Sequence, residues 1–330
     1  MKEYKKLVET VLTEGQYKEN RTGVDTISYF GYSYKIDTGD RFPLLTTKKM
    51  DGYRWDSMIH ELFWYLSGEE HIRNLREETK IWDAWAGDGG HLDTAYGRFW
   101  RQYPCVDPLQ QLEGETWAER NDSGRNDEFT FDQIQYVIDE LQENPHSRRL
   151  VVNAWHPVNA TVSTLPPCHY TFVFNVQGNR LNLHLTQRSG DVALGVPFNI
   201  ACYGLLQRMI AQEVGLEVGE FHHTIVDAHI YCGEGERGKW WKDNLEQYQE
   251  GFVFEDEEFT DIDIACIKNE APHDPDNLDH VPGLLKQIQR KPKKLPIVEI
   301  ADKPFDDLGY DDIELKEYES HGGIKFGVAT

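Results

Sequence analysis

The chain has 330 residues, room for one large domain or two medium ones, and its 39% hydrophobic and 12% aromatic content suits a packed core and argues against disorder. Its 34 Lys and Arg against 57 Asp and Glu give a formal charge of −23, which opposes binding to nucleic-acid backbones and anionic membranes. No long uncharged apolar run marks a transmembrane helix, and Met1–Lys6 lacks the apolar stretch of a signal peptide, so a cytoplasmic location is expected.

In chain order, residues 3–14 place Tyr4, Leu7, Val8, Val11 and Leu12 at helical spacing. Thr26–Lys35 is rich in β-branched and aromatic residues and reads as a strand. Arg54–Ser67 is predicted as a helix stopped by Gly68, and Phe131–Gln142 as a helix stopped by Asn144-Pro145. Leu150–Trp155 reads as a strand. Tyr170–Val176 and Arg180–Thr186 alternate apolar and polar residues around Gln177-Gly178-Asn179, the pattern of a hairpin with one buried face. Phe198–Val214 reads as a long apolar helix at the centre of the fold, followed by a strand over Glu217–Tyr231. The class is α+β, with helices packed on a mostly antiparallel or mixed sheet. One domain over 1–330 is expected, with insertions at about 103–128 and 233–279.

Five cysteines stand at 105, 168, 202, 232 and 266, with no CxxC or Cys/His spacing, so neither a disulfide framework nor a metal site is expected. Cys168 follows Pro166-Pro167, which fix the backbone before it. It reads either as an inert residue at a strand start or as a nucleophile, and a nucleophile needs nearby positive charge to lower its pKa of ~8.5. His169 points to the opposite strand face. Arg188 is the better source, because the far ends of antiparallel strands meet. Arg148-Arg149 and Arg21 stand at element ends, either as solvated charge or as an anion clamp. Glu61 interrupts an apolar helix; it reads as a polar stripe or, if buried, as a general acid or base with a raised pKa.

The run Gln187-Arg188-Ser189-Gly190-Asp191-Val192-Ala193-Leu194-Gly195-Val196-Pro197-Phe198-Asn199-Ile200 closely resembles the signature of the thymidylate synthase family. Pro167-Cys168-His169, Ser147-Arg148-Arg149, Arg21-Thr22-Gly23, His60-Glu61-Leu62, Ile81-Trp82-Asp83-Ala84-Trp85, Tyr96-Gly97 and Asp227–Tyr231 resemble it too, in the family's order. The resemblance implies a three-layer fold with a long central helix and a mixed sheet forming the interface of an obligate homodimer. It implies reductive methylation of dUMP to dTMP, with 5,10-methylenetetrahydrofolate as co-substrate and no metal. Cys168 would attack C6 of the uracil, Glu61 and Tyr96 would assist proton transfers, and Arg188 and Asn199 complete the catalytic set. Arg21, Arg188 and Ser189 would hold the phosphate, joined by Arg148 and Arg149 of the partner subunit. Asn199 would read the uracil edge, and His229 and Tyr231 the ribose. Asp191 would serve both nucleotide and pterin. Ile81, Trp82, Trp85, Leu194 and Phe198 would line the folate cleft, with the terminal segment through Ala329 closing over it.

Several positions depart from the family pattern. Gly190 stands where cysteine or alanine is frequent, the segment after Thr46-Thr47-Lys48-Lys49 is longer, the run after Tyr231 is interrupted, and Thr330 replaces a terminal aliphatic residue. Two other readings compete: a nucleotide hydroxymethylase of the same family, whose cytosine-specific form Asn199 disfavours, and a non-catalytic RNA-binding regulator, which the charge disfavours. The acidity itself reads either as that of an ordinary soluble enzyme or as adaptation to a salt-rich cytoplasm.

Overall fold

A computed structural model describes residues 1–92, 95–104, 130–251 and 261–329. The expected insertion at 103–128 lies outside these residues from 105 on. The frame is a seven-stranded mixed sheet. Its order is β1 (Gln16–Lys18), β2 (Val24–Asp37), β9 (Glu217–Glu234), β7 (Arg180–Gln187), β6 (His169–Gln177) and β5 (Val151–Asn153), and the short β8 (Gly190–Asp191) also pairs with β9. β9 runs parallel to β7 and β8, and the other pairings are antiparallel. The α+β class expected from the sequence is therefore present.

The β6–β7 hairpin forms as the alternation predicts. Phe172, Phe174, Val176, Leu181, Leu183 and Leu185 all point into the core and pair across the two strands. The turn requires a left-handed residue, and Gly178 supplies it with φ 63°. Between β8 and β9 runs the long helix α7 (Gly195–Glu213). It is apolar nearly all round, as a helix enclosed in a core must be. It begins three residues before the expected Phe198, because Pro197 sits in the first turn, where no backbone N–H is needed. Its buried Gln207 donates to Leu181 O at 2.8 Å and Glu220 O at 3.2 Å and accepts from Thr38 Oγ1 at 3.1 Å, so the helix is pinned to the sheet without an unpaired amide.

Helices α1 (Lys2–Glu14) and α2 (Tyr53–Ser67) match their expected spans, and α2 ends at Gly68 with φ 75°. Between α2 and the hairpin come α3 (Arg73–Glu78), α4 (Tyr96–Arg101), the strand pair β3 (Tyr103–Pro104) and β4 (Thr130–Phe131), α5 (Gln133–Glu143) and α6 (Pro157–Ala160). Phe131 does not open α5 as expected. It pairs with Tyr103, and Asp132 caps the helix by accepting from Gln135 N at 3.0 Å. Gly97 lets α4 meet α2 backbone to backbone: a Cβ there would lie 2.2 Å from Tyr65 O.

The described parts of the stretch, residues 233–251 and 261–279, pack on this frame. β9 continues into it and leads to α8 (Gly235–Gly251), and α9 (Asp261–Glu270) and α10 (Val281–Ile288) follow. A buried ion pair fastens it: Arg237 Nε donates to Asp279 Oδ2 at 2.7 Å, Trp241 Nε1 donates to the same oxygen at 2.9 Å, and Arg237 Nη1 donates to Pro272 O at 2.7 Å. β10 (Ile297–Ile300) and β11 (Ile313–Lys316) form a separate hairpin. Among the described residues no helix is long and apolar enough to cross a membrane.

Candidate active site

The carboxyl-terminal ends of β7 and β8, the nearby stretch of β9 and the residue before β6 surround a pocket of about 360 Å³. Cys168, Arg21, Arg188, Ser189, Asp191, Asn199, His229 and Tyr231 line it together. Residues scattered over more than 200 positions meet here because the hairpin and the parallel β7–β9 pairing align their strand ends.

Cys168 and Arg188 are neighbours across the open end of the hairpin. Arg188 N donates to Cys168 O at 2.8 Å, and Nη2 lies 3.4 Å from Cys168 Sγ. The guanidinium is held by the carbonyls of the two prolines, with Nε on Pro167 O at 3.0 Å and Nη2 on Pro166 O at 2.6 Å. The Pro-Pro pair thus fixes the arginine as well as the cysteine backbone. Burial pushes the Cys168 thiol above its ordinary range, while Arg188 and Arg21 pull it back down. The expected lowering of the thiol is therefore not reached: the two cations offset part of the desolvation without overcoming it. His169 is on the opposite face, as expected. It stacks on Tyr96 at 3.8 Å, contacts Tyr203 Oη through Nδ1 at 2.6 Å, and is pushed by burial to about 3, so it is a neutral packing residue.

Behind the cysteine, Tyr96 Oη accepts from Cys168 N at 2.7 Å, and burial raises its phenol far above the ordinary range. Glu61 on α2 faces the same wall. As a residue it is only partly buried, but its carboxylate is enclosed and accepts from Trp82 Nε1 at 2.7 Å. Burial pushes it up to about 7, against hydrogen bonds from Tyr65 and Trp82 that pull it down. The rise in pKa expected of a buried Glu61 is present. Trp82 packs edge-on against Trp85 and Tyr96, and Ile81, Trp85, Leu194 and Phe198 are half-buried around the core. These apolar residues do not line the pocket itself.

Between β7 and β8, Ser189 Oγ stands 3.4 Å from Nδ1 of His229 on β9, and His229 Nε2 is buried without a partner. Asp191 accepts from Ala193 N at 2.8 Å. Burial pushes its carboxyl up, but the facing His280, then His229 and the Ala193 N–H, hold it below the usual carboxylate range. Four residues of this neighbourhood escape a sequence reading. Lys18 and Asp227 form an ion pair at the pocket edge, where Ser28 Oγ also donates to Asp227 at 2.6 Å. Asp227 is two residues before His229 on one strand, so alternation could have found it. Lys48, fully buried, donates to Ala193 O at 2.5 Å and is pushed by burial to about 7. His280 carries no local signal at all. Arg148 and Arg149 lie exposed between α5 and β5 and away from this pocket, and Ala329 is not in its lining.

The family model of thymidylate synthases matches residues 2–330. The chain belongs to the thymidylate synthase family. A relative named thymidylate synthase, from the halophile Haloferax volcanii, is 58% identical over 328 residues, which cover 98% of this chain and 95% of the relative. The chain is accordingly a methyltransferase enzyme of this family.

Proposed function

We propose that the chain converts dUMP to dTMP by covalent catalysis from Cys168. The observation that carries this is the Arg188 Nη2–Cys168 Sγ contact of 3.4 Å inside a pocket that also holds Arg21, Ser189 and Asn199. The three cationic and hydroxyl groups suit a phosphate. A uracil edge presents both a donor and an acceptor, and the Asn199 amide complements both. The unpartnered His229 Nε2 and the Tyr231 hydroxyl suit the ribose. With the nucleotide bound, the sulfur adds to C6 as a thiolate and leaves C5 nucleophilic. Arg188, on the sulfur, favours the ionised thiol when the addition is made and when it reverses. Tyr96, hydrogen-bonded at Cys168 N, stands behind the ring to relay the C5 proton. Glu61, near neutrality, holds or releases a proton as the step requires.

The co-substrate 5,10-methylenetetrahydrofolate supplies the one-carbon unit and the hydride and leaves as dihydrofolate. The residues suit such a molecule: Trp82, Trp85, Ile81, Leu194 and Phe198 offer apolar surface outside the nucleotide pocket, with Trp82 against Tyr96, and an ionised Asp191 accepts pterin N–H groups. The dimer belongs to the same proposal. Ser33, Thr224 and His184 form a polar chain on a sheet face that stays partly exposed, and the partner subunit's Arg148 and Arg149 reach the phosphate across it. Residues 1–330 form a single domain of this type, and a cytoplasmic location goes with it.

The test is tritium release from C5-labelled dUMP with 5,10-methylenetetrahydrofolate, with chromatography of the product. Wild type should yield dTMP, and Cys168→Ser should lose more than about 10³-fold in turnover while keeping its fold. A folded dimer that makes no dTMP would falsify the reading; hydroxymethyl-dUMP as product would reassign the chain to hydroxymethylation. For the shared site, Cys168→Ser subunits mixed with Arg149→Glu subunits should regain one competent site per mixed dimer. No recovery would place the arginines elsewhere.

A further inference from the structure

His280 stands outside the pocket lining, yet its ring is wholly buried between the pocket and the chain terminus. Nε2 donates to Gly327 O at 2.9 Å. Gly327 N in turn donates to Asn277 O at 2.7 Å, so the terminal segment is fastened at this residue on both sides of its peptide. The seat is close-fitting: a Cβ on Gly283 would meet Phe326 at 2.5 Å, and one on Gly327 would meet Asp276 O at 2.4 Å. The other ring nitrogen, Nδ1, has no hydrogen-bond partner and faces Asp191 Oδ1 at 3.8 Å. Edge-on contacts with Tyr231 and Phe326, at 5.5 and 5.0 Å, fix the ring plane, and His280 N donates to Tyr231 O at 2.9 Å. A buried nitrogen without a partner is costly, and this one is aimed at a carboxylate of the site.

We propose that His280 is a positioning residue that ties the seating of the terminal segment to the orientation of Asp191. This rests on the reading in which Asp191 and the segment ending at Ala329 both serve folate. One imidazole touches the segment with Nε2 and faces the carboxylate with Nδ1. When the segment lifts, Nε2 loses Gly327 O and the ring loses a fixed point, so Asp191 loses its backing. Linkage makes the effect reciprocal: a ligand drawn onto Asp191 favours the seated segment.

The experiment is steady-state kinetics on the full-length enzyme, varying dUMP and 5,10-methylenetetrahydrofolate separately, joined to hydrogen exchange of residues 324–329. His280→Phe keeps the two ring contacts and loses both nitrogens. His280→Gln keeps one amide donor for Gly327 O and has no second nitrogen for Asp191. His280→Phe should raise the folate KM by about tenfold, the scale of one lost hydrogen bond, with the dUMP KM within about twofold. His280→Gln should raise the folate KM by roughly threefold. Exchange at 324–329 should quicken in the Phe variant and slow in wild type when folate is added. Equal rises in both KM values, an unchanged folate KM in a folded variant, or unchanged exchange would each overturn the proposal. If the Phe variant fails to fold, the Gln variant decides alone: a rise confined to folate supports the link and no rise refutes it. Wild type that makes no dTMP would instead overturn the functional reading beneath it.

Discussion

The floor of the pocket and the wall behind it bury their reactive groups by different means. The floor is built from strand ends, and its groups are fixed by backbone pairing: Cys168 to Arg188 through the ladder, and His229 and Tyr231 along β9. The wall is built from α2, α4 and the 81–85 turn, and its groups are fixed by side-chain packing among Tyr65, Trp82 and Tyr96. Burial raises the acid in both places. On the floor two guanidinium groups oppose it, whereas on the wall only neutral donors do. The same desolvation therefore leaves a thiol above its ordinary range, partly pulled back by two cations, on one side and a carboxyl that keeps its proton near neutrality on the other.

Removing the nearer of the floor's two cations should break this contrast most strongly. Arg188→Met leaves only Arg21 to oppose burial at the thiol, so the pH midpoint of Cys168 alkylation should move upward, and kcat/KM for dUMP should fall by about 10²-fold or more from the lost charge-assisted contacts. Glu61→Gln should leave that alkylation midpoint in place, and a shift in both variants would show that floor and wall are one electrostatic unit.

Glu61→Gln sharpens the wall in two ways. Its kcat should fall by about 10²-fold, the usual worth of a general acid or base. Its stability profile should also flatten. The unfolded chain ionises Glu61 near 4.5 and the folded protein near about 7. Below the first value both states hold the proton; between the two, folding takes one up; above the second, the folded state carries a buried carboxylate. Wild-type stability should thus decline from roughly pH 4.5 to 7 by about 3 kcal/mol, and the variant should lack that decline in denaturant titrations. A profile unchanged by the substitution would mean the carboxyl is solvated.

The smallest effect sets both buried regions against the surface. Adaptation to a salt-rich cytoplasm, one of the two readings of the charge of −23, predicts a response to salt. Molar KCl screens exposed charge and reaches buried sites far less. The melting temperature should rise by roughly 5 °C, on the order of 2 kcal/mol, with the alkylation midpoint little changed. A flat response would remove the salt reading.

The floor was legible in the sequence because strands carry their own rule. Alternation gave the hairpin, the hairpin gave the meeting of Cys168 and Arg188, and one further step of alternation reaches Asp227 from His229. The wall was legible at Glu61, a charge within an apolar helix, but its partner Trp82 is 21 residues away through a turn with no period. His280 and Lys48 were not legible, because their partners, Gly327 O and Ala193 O, stand 47 and 145 residues away with no local pattern to link them. The offset between thiol and burial was also beyond the sequence, since it is a balance of opposing effects whose sizes depend on enclosure.

One consequence follows from Gly97. The hydroxyl of Tyr96 reaches Cys168 N only because the next residue leaves Tyr65 O uncrowded. Every base change in the first two positions of a glycine codon installs a side chain or ends the chain. That codon is therefore free to drift only at its third base, and a deep mutational scan should find position 97 nearly as intolerant as the nucleophile, although it touches no substrate.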